Sequence, residues 1–259
     1  MIGSRIAGHP SAYALKILGC RIYVVTGTDN VRAIRKHKET ITSMVHQVFA
    51  LSSIFGASSQ ILESFIKDNS GIHVTPEPGT NVPKNQRIDH FTHVGFIKAF
   101  GGEGLPSLYK RWSQCFSNRL SSLQINEQWS EFPDITDYWM LPLTSAMTEA
   151  LAGPILECVN PNFSQDLLQF FNFIQPLFKR VPLWWNPQAY ALRESLIRDV
   201  EQWQNIARLR FTEKDIDTNG DWDPWWGSSL FRERQNFHLK LGNWDTRGIA
   251  TSDLAVLWG

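Results

Sequence analysis

Residues 164–179, SQDLLQFFNFIQPLFK, form a segment that is apolar almost all round, and this segment constrains the fold more than any other. A helix that carries apolar side chains on every side is buried or lines an apolar cavity. We therefore expect other helices to cover it. The composition permits such an interior, since 42% of the 259 residues are hydrophobic and only 19% are charged.

Three other segments carry the apolar spacing and the terminal residues of long helices. One begins near Pro106 and runs to Leu123, with apolar residues three and four positions apart. A second begins at Asp134 and is stopped by Gly153, which precedes a proline. A third has Asn186 as its N-cap, followed by a proline at the first helical position. These patterns predict a mainly α protein.

The N-terminal part mixes other signals. Residues 15–27 are rich in β-branched residues and predict a strand, followed by a short helix to His37. Residues 40–67 predict a helical region interrupted at Gly56, and residues 69–88, dense in Pro, Gly and Asn, predict a loop. No internal repeat divides the chain. We therefore expect one helix-rich domain over residues 1–259 with a small β-sheet.

Charge and cysteine usage exclude several classes of protein. The formal net charge is zero, which argues against nucleic acid as a partner. No apolar run is long enough to span a membrane, so we expect no membrane anchor and a cytoplasmic location. Cys20, Cys115 and Cys158 lie far apart without metal-binding spacing, so neither a disulfide framework nor a zinc site is expected.

Two patterns invite a metal-site interpretation. Residues 211–226 carry Asp and Asn at the spacing of a calcium-binding loop, but Trp226 stands where a bidentate carboxylate is required and Pro224 precedes it. His90 and His93 could share a helix face, but no third ligand is evident. We expect an acidic surface loop and no bound metal.

Several stretches resemble one enzyme family when they are read in order. Residues 21–37 are similar to its first strands and following helix, and residues 96–120 to its B–C loop and C helix. Residues 145–173 resemble its E and F helices, and residues 223–235 and 249–259 the approach to its I helix and that helix's first half. The chain resembles the first half of a fungal cytochrome P-450, of the class that includes sterol 7-alpha-hydroxylases and prostacyclin synthase.

The resemblance also shows which family features are missing. None of the cysteines lies in the haem-ligand pattern F-x-x-G-x-x-x-C-x-G, and no Glu is followed by an Arg three residues later. Phe116 stands four residues after Trp112, where the C helix would carry an Arg. The helical pattern of residues 251–259 ends without a cap. The resemblance therefore implies a truncated, haem-less P-450-like helical fold with no cofactor.

The function expected from this resemblance depends on the pocket-forming part of the family fold. Holding a substrate in a reactive geometry can by itself supply about 7–11 kcal/mol in favourable cases. We expect a haem-free, cofactor-independent cyclase or isomerase, of Diels–Alder type, acting on a hydrophobic terpenoid-like natural product. The alternatives are a non-catalytic protein that binds an apolar ligand or assists a full-length P-450, and a non-functional P-450 fragment.

The candidate site residues follow from position in the family fold. Those expected to shape a substrate pocket are Phe96, Phe100, Phe171, Phe173 and Trp258. Those expected to orient a substrate oxygen, and so to be catalytic, are Asp253, Ser252 and His93. The chain has eleven tryptophans, of which most should be core anchors and a few could offer indole N–H donors to a pocket. The apolar face of residues 167–178 predicts a homodimer.

Overall fold

A computed structural model of the protein describes residues 12–17, 20–36, 44–122, 131 and 134–258. Gly259, with which the predicted last helix ends, lies outside these residues. The packing of the backbone divides the chain into two units, residues 1–45 and residues 46–259. The single domain expected from the sequence stays a prediction.

The first unit contains a β-hairpin and a short helix. Strand β1 (Ala12–Ile17) pairs antiparallel with β2 (Cys20–Val25), and Ile17 lies opposite Cys20 at the turn. Helix α1 (Thr28–Lys36) follows, and Asp29 in its first turn forms an exposed ion pair with Arg32 at 3.0 Å. The sequence predicted one strand over residues 15–27, whereas this range contains the end of β1 and the whole of β2.

The second unit is built almost entirely of helices. The first two are α2 (Met44–Ser53), which begins at the boundary between the two units in the sequence, and α3 (Ser59–Lys67). The others are α4 (Ile88–Phe100), α5 (Gly104–Ser122), α6 (Ile135–Ala152), α7 (Ile155–Val159), α8 (Phe163–Phe178), α9 (Pro187–Arg210), α10 (Ser229–Leu241) and α11 (Thr246–Trp258). Two short strands, β3 (Trp222–Asp223) and β4 (Gly227–Ser228), pair antiparallel before α10. The mainly α fold with little β-structure is confirmed.

The helix ends follow the local signals in the sequence. The Asp134 side chain accepts a hydrogen bond from the Thr136 backbone N–H at 2.7 Å and so caps α6. Gly153 ends that helix with φ 75°, a conformation that side chains resist. The Asn186 side chain accepts from the Ala189 N–H at 3.3 Å at the start of α9.

Helix α9 lies at the centre of the main core. Its buried stripe, Leu196, Ile197, Val200, Trp203 and Ala207, has no exposed surface, and α9 packs against both α8 and α11. Full burial of a large apolar side chain contributes about 1.5–3 kcal/mol, so this stripe fixes the two helices beside it. Across the residues the structure describes, no helix is both long and apolar enough to cross a membrane.

Residues 69–87 form a loop with one short 3-10 turn, Lys84–Gln86, close to the loop that the sequence predicts, and a buried arginine holds it in place. Arg87 is 3% exposed and donates to the Ser70 hydroxyl at 2.9 Å and to the Val74 carbonyl at 2.9 Å. It also donates to the Gly71 carbonyl at 3.2 Å. These bonds satisfy loop carbonyls that have no ladder partner, so the loop delivers the chain to the start of α4 in a defined position.

Candidate functional site

An apolar cavity of about 580 Å³ lies between α4, α6, α8 and α11 of the second unit. Each of the four helices forms one part of the cavity wall. Helix α4 contributes phenylalanines, α6 a stripe of apolar side chains and threonines, α8 the middle of its apolar surface, and α11 its last turn. No charged side chain of the described residues is among its walls. A cavity of this size and character is typical of sites for drug-sized apolar ligands, which run from about 300 to 1,000 Å³.

Four of the five aromatic residues expected to shape a pocket line this cavity. Phe96 and Phe100 come from α4, where their rings lie 5.8 Å apart. Phe171 comes from α8 and Trp258 from α11, and their ring centroids are 5.4 Å apart. Phe173 does not line the cavity; it is half-buried against the main core. Their role in substrate binding stays a prediction.

Helix α6 supplies the polar atoms on the opposite wall. Thr144 and Thr148 both line the cavity, and the four-residue spacing places them one above the other on the same face of the helix. Met140, Met147 and Leu151 complete this face. The two hydroxyls can donate and accept hydrogen bonds, whereas the methionines offer an adaptable apolar surface.

Trp258 is the residue of the cavity with the most unusual environment. Its ring lies between Phe171, at 5.4 Å, and Phe55, at 5.8 Å in an edge-on arrangement. Its Nε1 atom is buried, yet it has no hydrogen-bond partner among the described residues. Buried indole N–H groups usually find an acceptor. The ring is thus packed against two other aromatic rings, and its only polar atom is buried without a partner among the described residues.

Asp253 and Ser252, which were expected to orient a substrate oxygen, are placed elsewhere by the structure. Neither lines the cavity. Asp253 is fully buried and accepts from Arg234 Nε at 2.7 Å and from Gln204 Nε2 at 2.8 Å. The Ser252 hydroxyl accepts from Arg234 Nη2 at 2.8 Å. Burial raises the pKa of Asp253, and its contacts with Arg234 and Gln204 oppose that shift. These side chains join α9, α10 and α11, and their catalytic role stays a prediction.

His93, the third residue expected to be catalytic, is half-buried on α4 and is not among the cavity walls. Its neighbour His90 contacts the Ile72 carbonyl through Nδ1 at 2.8 Å and so helps to hold the preceding loop. The two histidines are therefore not brought to the cavity.

The acidic region of residues 211–226 uses its carboxylates internally. Asp217 accepts from the backbone N–H groups of Asp221 and Trp222, at 2.9 and 3.2 Å. Asp223 is fully buried and pairs with Arg232. Asp221 pairs with Arg111 at 2.5 Å. Within the part of the chain that the structure describes, no group of three or more His, Cys, Asp or Glu side chains could hold a metal ion.

Comparison with known proteins finds sequence similarity to enzymes of one kind. The chain is 26% identical over 240 residues to the cytochrome P450 monooxygenase fsoE of Humicola fuscoatra. This match covers 91% of the chain and 39% of fsoE. It is 23% identical over 239 residues to efuG of Hormonema carpetanum and 26% identical over 215 residues to calL of Penicillium decumbens, both also cytochrome P450 monooxygenases. The chain is thus similar in sequence to fungal cytochrome P450 monooxygenases over most of its own length.

The similarity covers most of the chain but less than half of each P450 enzyme. The efuG match covers 91% of the chain and the calL match 82%, but each covers only 40% of the relative. The chain thus spans about two fifths of the length of these P450 relatives. No family model and no solved structure matches the chain.

Neither Cys115 nor Cys158 fits the haem thiolate that the similarity to P450 enzymes implies. A haem thiolate needs a cysteine whose ionised form is favoured, but burial, together with the neighbouring Glu149, raises the pKa of Cys115 on α5. Cys158 is exposed on the short helix α7. Phe116 stacks on Trp112 with ring centroids 5.3 Å apart, in place of the arginine expected there. The cavity, rather than a haem site, is the candidate functional feature of the described residues.

Proposed function

We propose that the chain binds a neutral, largely apolar small molecule in the cavity between α4, α6, α8 and α11. The observation that carries this proposal is the lining: aromatic and aliphatic side chains line a cavity of about 580 Å³, and two threonines are its polar contribution. Apolar walls with a few fixed polar atoms are characteristic of ligand sites. A charged ligand would lose its hydration without gaining a counter-ion.

A binding measurement with a cavity-filling variant tests this proposal. The probe is the steroid ketone androstan-17-one, and binding is followed by tryptophan fluorescence. Ala255 lies in the wall on α11, and Ala255→Phe places a ring in the space that the ligand needs. We expect the affinity to fall on the order of tenfold or more. The matched control is Leu209→Phe, which introduces the same side chain at a position that is 85% exposed. Equal affinities of the two variants would refute the proposal.

Catalysis of a cyclisation is the second candidate function, and the aromatic contact between Phe171 and Trp258 at the cavity wall favours it. A Diels–Alder-type reaction of a terpenoid-like polyene needs no cofactor and is accelerated when the reacting ends are held together. A buried donor that polarises a carbonyl adds to this effect. Phe171 and Trp258, whose rings are in contact, would determine the folded shape of the substrate.

Mass spectrometry tests this second function. The purified protein is incubated with extracts of a host that lacks it, and products are sought that are isomers of their precursors, with equal mass. Turnover should slow in Phe171→Ala and remain normal in Leu209→Ala, since Leu209 lies on the exposed surface. Products that gain an oxygen atom, together with a haem-thiolate Soret band in the reduced, carbon-monoxide-treated protein, would contradict a haem-free cyclase.

A further inference from the structure

Two threonine hydroxyls on α6 are accessible in the cavity and have no partner in the protein. Thr148 is 3% exposed and Thr144 is half-buried, and both side chains line the cavity. Within the part of the chain that the structure describes, neither hydroxyl forms a hydrogen bond, and neither oxygen is completely enclosed by protein atoms. In this they differ from the enclosed indole nitrogen of Trp258. A ligand in the cavity can therefore reach both oxygens.

This lack of a partner is unusual for threonines inside a helix. A helical threonine often donates its hydroxyl hydrogen to the backbone carbonyl one turn earlier. Thr251 of α11 does so, since its hydroxyl donates to the Arg247 carbonyl at 2.9 Å. Thr144 and Thr148 do not form the corresponding bonds among the described residues. Their hydroxyls thus retain their capacity to donate to a ligand.

The spacing of the two threonines allows them to bind one ligand atom together. Cβ atoms four residues apart on a helix are about 5–6 Å from each other, and an O–H···O hydrogen bond spans about 2.7–2.8 Å. An oxygen between the two side chains is then within reach of both hydroxyls. A carbonyl oxygen suits this position, because its two lone pairs can accept two hydrogen bonds.

The other walls limit the rest of the ligand. No carboxylate or cation of the described residues lines the cavity, so an anionic ligand would find no counter-charge there. The walls opposite α6 are aromatic and aliphatic and favour an apolar body. A hydrocarbon would suit these walls, but it would cover the two hydroxyls without offering them a partner.

We propose that the ligand of this cavity is a neutral, largely apolar molecule with a carbonyl oxygen, and that Thr144 and Thr148 donate hydrogen bonds to this oxygen. The inference rests on the proposed ligand-binding function and specifies its substrate class. A hydrogen bond of this kind changes affinity by about 2- to 10-fold. The threonine pair thus distinguishes a ketone from a hydrocarbon of the same shape.

The test compares androstan-17-one with its parent hydrocarbon androstane. The measured quantity is the ratio of the two dissociation constants, because a ratio cancels most effects of ligand shape and protein stability. Valine has nearly the shape of threonine but no hydroxyl. We expect the preference for the ketone to fall by about 2- to 10-fold in Thr144→Val and in Thr148→Val, and further in the double variant.

The matched control is Thr251→Val, the same substitution at a buried helical threonine that does not line the cavity. It should keep the ketone preference of the unaltered protein. Urea unfolding adds a second comparison, because Thr251→Val loses a hydrogen bond within the protein and the α6 variants lose none. The double α6 variant should therefore be at least as stable as Thr251→Val. A double variant that does not fold would show that the two hydroxyls serve the fold and would contradict the inference.

Infrared spectroscopy detects the hydrogen bond directly. The carbonyl band of ¹³C-labelled androstan-17-one should lie at lower frequency in the unaltered protein than in a hydrocarbon solvent, because a hydrogen bond weakens the C=O bond. In the double variant it should return to the hydrocarbon-solvent position. An unshifted band in the unaltered protein, or an equal ketone preference in both proteins, would overturn the inference and leave the cavity function intact. If neither probe binds up to its solubility limit, the proposed function fails and the inference fails with it.

Discussion

Replacing Asp253 with alanine is expected to lower the free energy of unfolding by about 3–5 kcal/mol. The reason lies in its partner, since the Arg234 side chain is 2% exposed and Asp253 is fully buried. Without the carboxylate, the guanidinium would keep its charge in the protein interior with no counter-ion. Gln204 would also lose the oxygen that its amide donates to at 2.8 Å. These losses share one network, so they do not simply add.

A loss of that size is large in relation to the whole protein. Domains of ordinary stability unfold with a free energy of about 5–15 kcal/mol, so Asp253→Ala removes a substantial part of it. Asp253→Asn is the milder companion, because an amide oxygen still accepts from Arg234 while the charge is gone. We expect it to cost about 1–3 kcal/mol. Urea unfolding followed by tryptophan fluorescence measures both variants.

The double variant Arg234→Met with Asp253→Ala separates charge burial from the other effects of the substitution. Removing both members of a buried pair is often close to neutral, whereas removing one is costly. We therefore expect the double variant to regain about 2 kcal/mol or more of the stability lost in Asp253→Ala. A double variant that is less stable than Asp253→Ala would show that the unpaired charge is not the cause.

A different result would restore the role that the sequence suggested for Asp253. If Asp253→Ala unfolded at the urea midpoint of the unaltered protein, yet no longer bound androstan-17-one or lost turnover, the carboxylate would be serving the ligand. The ion pair with Arg234 would then be incidental, and our account of α11 would be wrong.

Three further outcomes are expected from urea unfolding. Burial, together with the nearby positive charge of Arg234, holds the pKa of His238 well below 6.5. The stability that this neutral side chain contributes is therefore present above pH 6.5 and is lost as the pH falls. In His238→Phe this decrease in stability at low pH should be absent. Burial and the nearby Asp68 raise the pKa of Asp89 to about 6, so its contribution is present below pH 3.8 and lost as the pH rises through 6. Asp89→Asn should therefore stabilise the protein by about 1–2 kcal/mol at pH 7.5 and hardly at all at pH 3.5, the half-exposed position reducing the effect. Gly227→Ala should cost about 2–4 kcal/mol, because φ is 72° there and a Cβ would lie 2.3 Å from a backbone nitrogen at the end of α6.

The sequence predicted helix ends well where a local signal determines them. Asp134, Gly153 and Asn186 each act within a few residues of themselves, so their effect is visible without the rest of the fold. The apolar segment that became α8 was correctly predicted as a helix, and Leu167 and Phe171 of this helix line the cavity. Local chemistry and periodicity were sufficient for these elements.

Helices α4 and α10 were harder to predict because their patterns are atypical. Helix α4 contains Gly95, whose lack of a side chain brings the helix close to Leu230 of α10, where an added Cβ would lie 3.3 Å away. Helix α10 buries Gln235 and His238, which are 2% and 0% exposed, instead of a purely apolar stripe. A polar residue that is buried by its neighbours in space does not contribute to the apolar periodicity from which a helix is predicted. Tertiary packing, rather than propensity, formed these two helices.

The cavity residues illustrate the same limit within a single helix. Asp253 and Trp258 lie on one predicted helix, and the position of that helix in the resembled fold put both residues in the expected site. Five residues along an α-helix correspond to a rotation of about 140° between the two side chains. One side of α11 can therefore bury Asp253 against Arg234 while Trp258 reaches the cavity. The polar side chains that line the cavity are then Thr144 and Thr148 on α6, and not the carboxylate of Asp253.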